Sequence, residues 1–231
     1  MNAGFLVRCG RSAILAAVCA TGVVLPAQER PSWPDTYQAR LTALALIQTL
    51  NASILGNRSA TLSLERWCRD HALAPEPAIV ARSVPAAGQA PTVEQRQRLE
   101  VNAADEVKYR RVQLVCGTRI LSEAENWYVP SRLTPEMNRV LETTQTPFGR
   151  VVEPLKPYRL TFAVELMWSP LPDGWERQLD ARPASTGPEL TIPDALFTHR
   201  AVLYSSEHRP FAEVREIYQR DILAFPPPYA R

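Results

Sequence analysis

The chain has 231 residues, of which 45% are apolar, 22% charged and 8% aromatic, enough to bury a core and too hydrophobic for a disordered chain. Its 26 basic and 24 acidic residues balance once Arg8 and Arg11, which sit in a leader-like segment, are set aside. A balanced surface carries no electrostatic footprint for nucleic acid or an anionic membrane, so the expected partner is a small molecule, a protein or none.

Residues 1–27 place Arg8 and Arg11 ahead of an uncharged run from Ser12 to Leu25, with small residues before Gln28. This is the pattern of a secretory signal peptide. The expectation is a leader over 1–27 cleaved after Ala27, a single domain over 28–231, and a periplasmic or secreted location. A lipid on Cys19 is the weaker reading, because Ala16, Ala17 and Val18 fit that signal poorly, and a retained N-terminal anchor is the other alternative. No other stretch approaches the ~18 apolar residues of a membrane span, so no membrane contact is expected apart from that anchor. Cys68 and Cys116 then remain in the exported chain, either paired in an oxidising compartment or buried as two thiols.

The first helix is predicted from Asp35 to Gly56, with Asp35-Thr36-Tyr37-Gln38 as a capping box and Tyr37, Leu41, Leu44, Ile47, Leu50 and Ile54 recurring at helical spacing. A second helix is expected over 60–70, capped by Ser59, with Leu64, Trp67 and Cys68 inward. Ala78 to Val84 reads as a strand, and Pro85 to Pro91 as a linker. Thr92-Val93-Glu94-Gln95 is a further capping box opening a short helix. Glu106 to Cys116 and Arg119 to Val129 form two strand-like runs around Gly117-Thr118, a β-hairpin signature. Thr134-Pro135-Glu136 starts a helix that ends near Gln145, and Thr146-Pro147-Phe148-Gly149-Arg150 is a loop. Strands are expected at Tyr158 to Trp168, Ala195 to Ser205 and Pro210 to Leu223, with a proline-rich excursion from Ser169 to Pro193. Hairpin-joined strands with helices before and between them indicate an α+β fold, an antiparallel sheet with helices packed on it.

Phosphate-binding loops, G-x-G-x-x-G, H-E-x-x-H and G-x-S-x-G are all absent, and His71, His199 and His208 have no metal-ligand spacing. No cofactor and no metal is expected. On the last strand Ala212, Val214, Glu216 and Tyr218 share one face, so Glu216 among apolar neighbours must find a cation or shift its pKa. On the hairpin Arg111 shares a face with Val107, Tyr109, Gln113 and Val115. An arginine and a glutamate in one pocket would recognise an acid with a hydroxyl at its other end; a structural ion pair or a solvated face explains the same residues.

Tyr109-Arg110-Arg111-Val112-Gln113-Leu114-Val115-Cys116, continued by Trp127-Tyr128-Val129-Pro130, resembles the central hairpin of chorismate lyase. Thr146-Pro147-Phe148-Gly149-Arg150 is similar to that family's T-P-hydrophobic-G-R loop, and Ser59-Ala60-Thr61 to its S-x-T segment. The tail Glu216-Ile217-Tyr218-Gln219-Arg220-Asp221 is closer to the UTRA ligand-sensing domains of GntR-type regulators, which share the fold and bind effectors without chemistry. The resemblance implies a chorismate-lyase-like sheet and a pocket for a small aromatic carboxylate. Arg111 and the amides of Ala60 and Phe148 would hold the ring carboxylate, with Glu216 beside the ether or hydroxyl oxygen. If the protein is an enzyme, Arg111 and Glu216 would be its catalytic residues in a cofactor-independent pyruvate elimination from chorismate. Glu125 stands where those lyases carry a pocket glycine, which would put a second carboxylate in the pocket wall. A lyase, an exported binding module without turnover, and a structural protein with no pocket chemistry are the three readings that remain.

Overall fold

The structure is a computed structural model that describes residue 1 and residues 31–85, 87–177, 185 and 187–228. The leader over 1–27, its cleavage site and Cys19 lie outside the described residues. Helix α1 spans Tyr37–Leu55; its cap is Thr36, whose hydroxyl accepts from the Ala39 amide at 3.1 Å. Asp35, expected to cap, instead pairs with Arg40 at 2.6 Å. The inner face of α1 starts on small residues, Ala39 and Ala43, and continues through Ile47, Leu50 and Ile54, while Leu41 lies outward. Helix α2 (Ala60–Asp70) buries Leu64, Trp67 and Cys68 as its spacing predicts.

Strand β1 (Ile79–Ser83), helix α3 (Val93–Arg98), strands β2 (Lys108–Cys116) and β3 (Arg119–Tyr128), and helix α4 (Pro135–Thr143) follow. The α3 capping box between Thr92 and Gln95 is complete, and the Thr134 hydroxyl caps α4 at the Met137 amide. Gly117 makes the tight turn between β2 and β3 with φ of 57°, a left-handed value that glycine takes without strain. The loop after α4 contains a single helical turn, α5 (Phe148–Val151), not expected from the sequence. Strand β4 (Tyr158–Leu166), β5 (Ala195–Tyr204) and β6 (Pro210–Gln219) complete the fold. The last strand is shorter than predicted, because residues Arg220–Leu223 coil into a 3-10 turn.

All six strands pair antiparallel in the order β1-β2-β3-β6-β5-β4, which establishes the α+β class. One face of the sheet carries two apolar clusters. The first joins α1 and α2 to Val112, Leu114, Ala124, Phe197 and Tyr218. The second joins α4 and α5 to Leu203, Phe211, Ala212 and Val214. Among the described residues, the opposite face has a small cover, where Leu99, Trp127 and Val129 pack together beyond α3. β4 is an outer strand, with a bulge between Thr161 and Ala163 and with Leu160, Phe162, Val164 and Leu166 exposed.

Cys68 on α2 and Cys116 on β2 are joined by a disulfide, with Cα atoms 6.3 Å apart and 48 residues between them in sequence. It settles the choice between paired and free thiols and fastens α2 to the sheet. Closing a loop of this length stabilises mainly by restricting the unfolded chain, typically by ~2–5 kcal/mol. Reduction, or Cys116→Ser, is therefore expected to lower Tm by roughly 5–15 °C in a calorimetric melt, without changing the far-UV spectrum below the transition.

Candidate functional site

A cavity opens at the seam between the two apolar clusters. Its floor crosses the sheet: Val112 and Leu114 on β2, Ala124 and Asn126 on β3, Val214 and Glu216 on β6, Leu203 on β5 and Arg159 on β4. Its roof is the entry to α2, Arg58 to Thr61, together with Phe148, Gly149, Val152 and Pro157. The two roof segments touch at Gly149, where an added Cβ would lie 2.7 Å from Ser59 Oγ and 3.0 Å from Thr61 Oγ1. Glycine is required there by the close approach of the Ser59–Thr61 hydroxyls. The inner slot has a volume of about 40 Å3, and a wider chamber of about 500 Å3 adjoins it through the shared residues Arg58, Ser59, Gly149 and Pro157.

Glu216 lies on the inner face with Ala212, Val214 and Tyr218, as the alternation predicts. The cation that its burial demands is Arg159, whose Nη2 stands 2.7 Å from Glu216 Oε2; their side chains are 4% and 9% exposed. The contact is a close buried ion pair that engages the guanidinium. Nε of Arg159 donates to Thr161 Oγ1 at 3.2 Å. Burial would lower the Arg159 guanidinium, but the Glu216 carboxylate outweighs it and holds the group above the ordinary arginine value. The Tyr218 hydroxyl donates to Glu216 Oε2 at 2.9 Å, and burial, helped by that carboxylate, pushes it well above the usual tyrosine range.

His199 is the cross-strand neighbour of Glu216 and is fully buried. Its Nε2 donates to Asn51 Oδ1 on α1 at 2.7 Å, which leaves Nδ1 as a buried acceptor with no partner. Burial first, and the Arg159 charge second, bring His199 down from 6.5 to about 4, so it is neutral at neutral pH. Asn126, 3% exposed in the cavity floor, has its Nδ2 donor unsatisfied. The Ser59 side chain makes no capping bond to α2, and its Oγ is buried without a partner. The slot is thus lined by donors with few acceptors to meet them.

Of the residues singled out in the sequence, Glu216, Ala60 and Phe148 line this cavity and Arg111 does not. The hairpin places Val112 and Leu114 inward, so Arg111 and Gln113 point to the opposite face, where Arg111 pairs with Glu123 at 2.9 Å and is 39% exposed. The expected convergence of Arg111 and Glu216 is corrected: the guanidinium beside Glu216 belongs to Arg159. Glu125 is corrected likewise. It shares the outer face with Arg111, accepts from Tyr109 Oη at 2.7 Å and pairs with Arg215 at 3.1 Å, while the wall position it was expected to fill belongs to Ala124. Arg159 was missed because the alternating Leu160, Phe162, Val164 and Leu166 of β4 are out of step with it, and on this edge strand those apolar residues are exposed rather than turned to the core.

Arg159→Met leaves Glu216 buried without a counter-charge and is expected to cost about 3–5 kcal/mol in denaturant unfolding, whereas Arg111→Met, at an exposed pair, should cost less than about 1 kcal/mol. A folded-state pKa below the unfolded value means that the unfolded chain takes up the His199 proton first as pH falls. That contribution to stability is complete above pH 6.5 and is lost toward pH 4, and amounts to about 3 kcal/mol. His199→Gln, compared with the parent chain in melts across this window, should remove that part of the slope.

No protein-family model matches the chain. Among solved structures, PhnF from Mycobacterium smegmatis aligns at 14% identity over 74% of this chain and 68% of its own, with a TM-score of 0.48. The "possible transcriptional regulator YydK" of Bacillus subtilis aligns at 16% identity over 64% of this chain, with a TM-score of 0.40, and this chain spans 60% of its length. Likenesses with TM-scores this low carry no argument, and the fold rests on the sheet itself. A relative by sequence is the uncharacterized protein y4mC of Sinorhizobium fredii, 48% identical over 197 residues that make up 85% of this chain and 83% of the relative. Identity at that level over nearly the full length of both sequences is shared ancestry and shared fold: the chain belongs to the family of y4mC.

Proposed function

We propose that the chain is an exported module that binds a small organic acid, with the carboxylate held between the entry of α2 and Arg159. The observation that carries this reading is the surplus of donors around one slot. Asn126 Nδ2 and the Ser59 hydroxyl are buried without hydrogen bonds, and no side chain caps the first turn of α2. Each buried donor left empty costs ~1–3 kcal/mol, which an anion with two acceptor oxygens would offset. Charge points the same way: Arg58 and Arg159 line the cavity with a single carboxylate, Glu216, and the N-terminal end of an 11-residue helix adds a partial positive charge.

Size limits what enters. A cavity of ~150 Å3 takes a benzene ring, so a slot of about 40 Å3 admits a carboxylate and leaves a ring in the adjoining chamber beside Leu62 and Pro157. The resemblance to chorismate lyase supports an aromatic carboxylate as the ligand class. Pyruvate elimination would call on Glu216 as acid or hydrogen-bond partner, yet that carboxylate is already engaged by Arg159 and the Tyr218 hydroxyl. Binding without turnover is therefore the reading that the geometry favours. The Cys68–Cys116 disulfide supports export, since such bonds persist in oxidising compartments.

Thermal melts of the mature chain with 4-hydroxybenzoate and related aromatic acids test the reading. At a concentration of 100 times Kd, stabilisation of ~2.7 kcal/mol is expected, and Arg159→Met should abolish it. Absence of any stabilisation across the series would refute ligand binding, and pyruvate released from chorismate above an Arg159→Met control would replace this reading by the lyase.

A further inference from the structure

We infer that the Cys68–Cys116 disulfide is a redox control on the binding slot: with the bond closed, roof and floor stand at the width that holds a ligand, and two-electron reduction by a dithiol lets them part and lowers the affinity. The inference rests on the binding reading above and adds its regulation.

The bond joins the two walls of the slot. On α2 the roof residue Ala60 is followed at four-residue spacing by Leu64 and Cys68, all three buried. The floor residues Val112 and Leu114 occupy the inner face of β2 in step with Cys116. At the rise of a helix and of a strand, the disulfide lies ~12 Å from Ala60 and ~7 Å and ~13 Å from Leu114 and Val112, so helix and strand form two arms fixed at one end. The other polar ties of α2 lead elsewhere. Trp67 Nε1 donates to the Ile222 carbonyl at 2.8 Å, Ser63 meets Ser53 on α1 at 3.4 Å, and Glu65 pairs with Arg150 in the second roof segment. Among the described residues no hydrogen bond or ion pair joins α2 to β2, so beyond apolar packing the disulfide alone sets the spacing of these arms.

A slot of about 40 Å3 leaves little slack. Hydrogen bonds weaken steeply as donor and acceptor separate, so roof and floor can engage one small head group only while the arms keep their distance. Both cysteines are 0% exposed, and a reductant reaches them only when α2 lifts from the sheet. A thiolate of the dithiol then attacks one sulfur to form a mixed disulfide, and its second thiol closes on the first. Cys68 and Cys116 are left as two thiols carrying the two protons of the reductant, which departs as a cyclic disulfide. A ligand seated across both arms opposes the lifting. By linkage, the factor by which reduction weakens binding equals the factor by which the ligand shifts the reduction equilibrium.

The test is isothermal titration of the mature chain with 4-hydroxybenzoate, once oxidised and once in excess dithiothreitol, with circular dichroism to establish that both forms are folded at the titration temperature. The reduced chain is expected to bind about tenfold more weakly. Cys116→Ser should match the reduced chain with or without dithiothreitol, which separates loss of the bond from any action of the reductant on the ligand. In a redox titration read by free-thiol labelling, saturating 4-hydroxybenzoate should raise the ratio of reduced to oxidised dithiothreitol at the midpoint by the same factor. Equal affinities for the two folded forms, or a midpoint that the ligand leaves in place, would overturn the redox control while leaving the binding reading intact. Failure of 4-hydroxybenzoate to bind either form would overturn the binding reading and this inference together.

Discussion

Arg159 and Glu216 hold opposite charges on the inner face of the sheet, where neither can be left alone. Taking an ion out of water into protein costs several kcal/mol, and only the partner's charge and added hydrogen bonds offset it. The pair spans three strands, from β4 across β5 to β6, and draws Tyr218 and His199 into one polar cluster. Apolar side chains cannot close over such a cluster without stranding it. The two hydrophobic clusters therefore stop on either side, and the seam between them stays open as a cavity. Roof segments that carry no carboxylate complete it, so the space has an excess of positive charge and of donors.

Much of the frame was legible because it is governed by local chemistry. The Thr92-Gln95 capping box, Pro135 behind a Thr134 cap, and Gly117 in the β2–β3 turn each encode a boundary in three or four residues, and the structure has them in place. Burial of Leu64, Trp67 and Cys68 on α2 follows from helical spacing alone. Where two neighbours compete for one role the outcome depends on tertiary context. Thr36 caps α1 because Asp35 has a better use in its pair with Arg40, and the end of β6 coils because Asp221 accepts from the Ile120 amide and turns the chain inward.

The site was legible on one side only. Glu216 could be placed inward from Ala212, Val214 and Tyr218, and its need for a cation followed from electrostatics. The identity of that cation did not follow, because the pairing reaches across β5 to the outer strand and no sequence spacing encodes it. Arg111 was singled out on the face it shares with Val107, Tyr109, Gln113 and Val115 and then on resemblance, yet the competing alternation of Val112 and Leu114 turns it and Glu125 to the outer face. The apolar residues of a hairpin decide its inner side before any charged residue does. Family resemblance located the segments that build the pocket, and strand periodicity decided which side chains enter it.

The outer strand β4 carries Leu160, Phe162, Val164 and Leu166 uncovered at the margin of the sheet, a row that would otherwise template the addition of further strands. Its bulge between Thr161 and Ala163 interrupts the row near the middle. An incoming straight strand could match the backbone on only one side of that kink, because a bulge bends the strand and increases its local twist. The irregularity thus limits the open-ended addition of strands at this margin of the sheet.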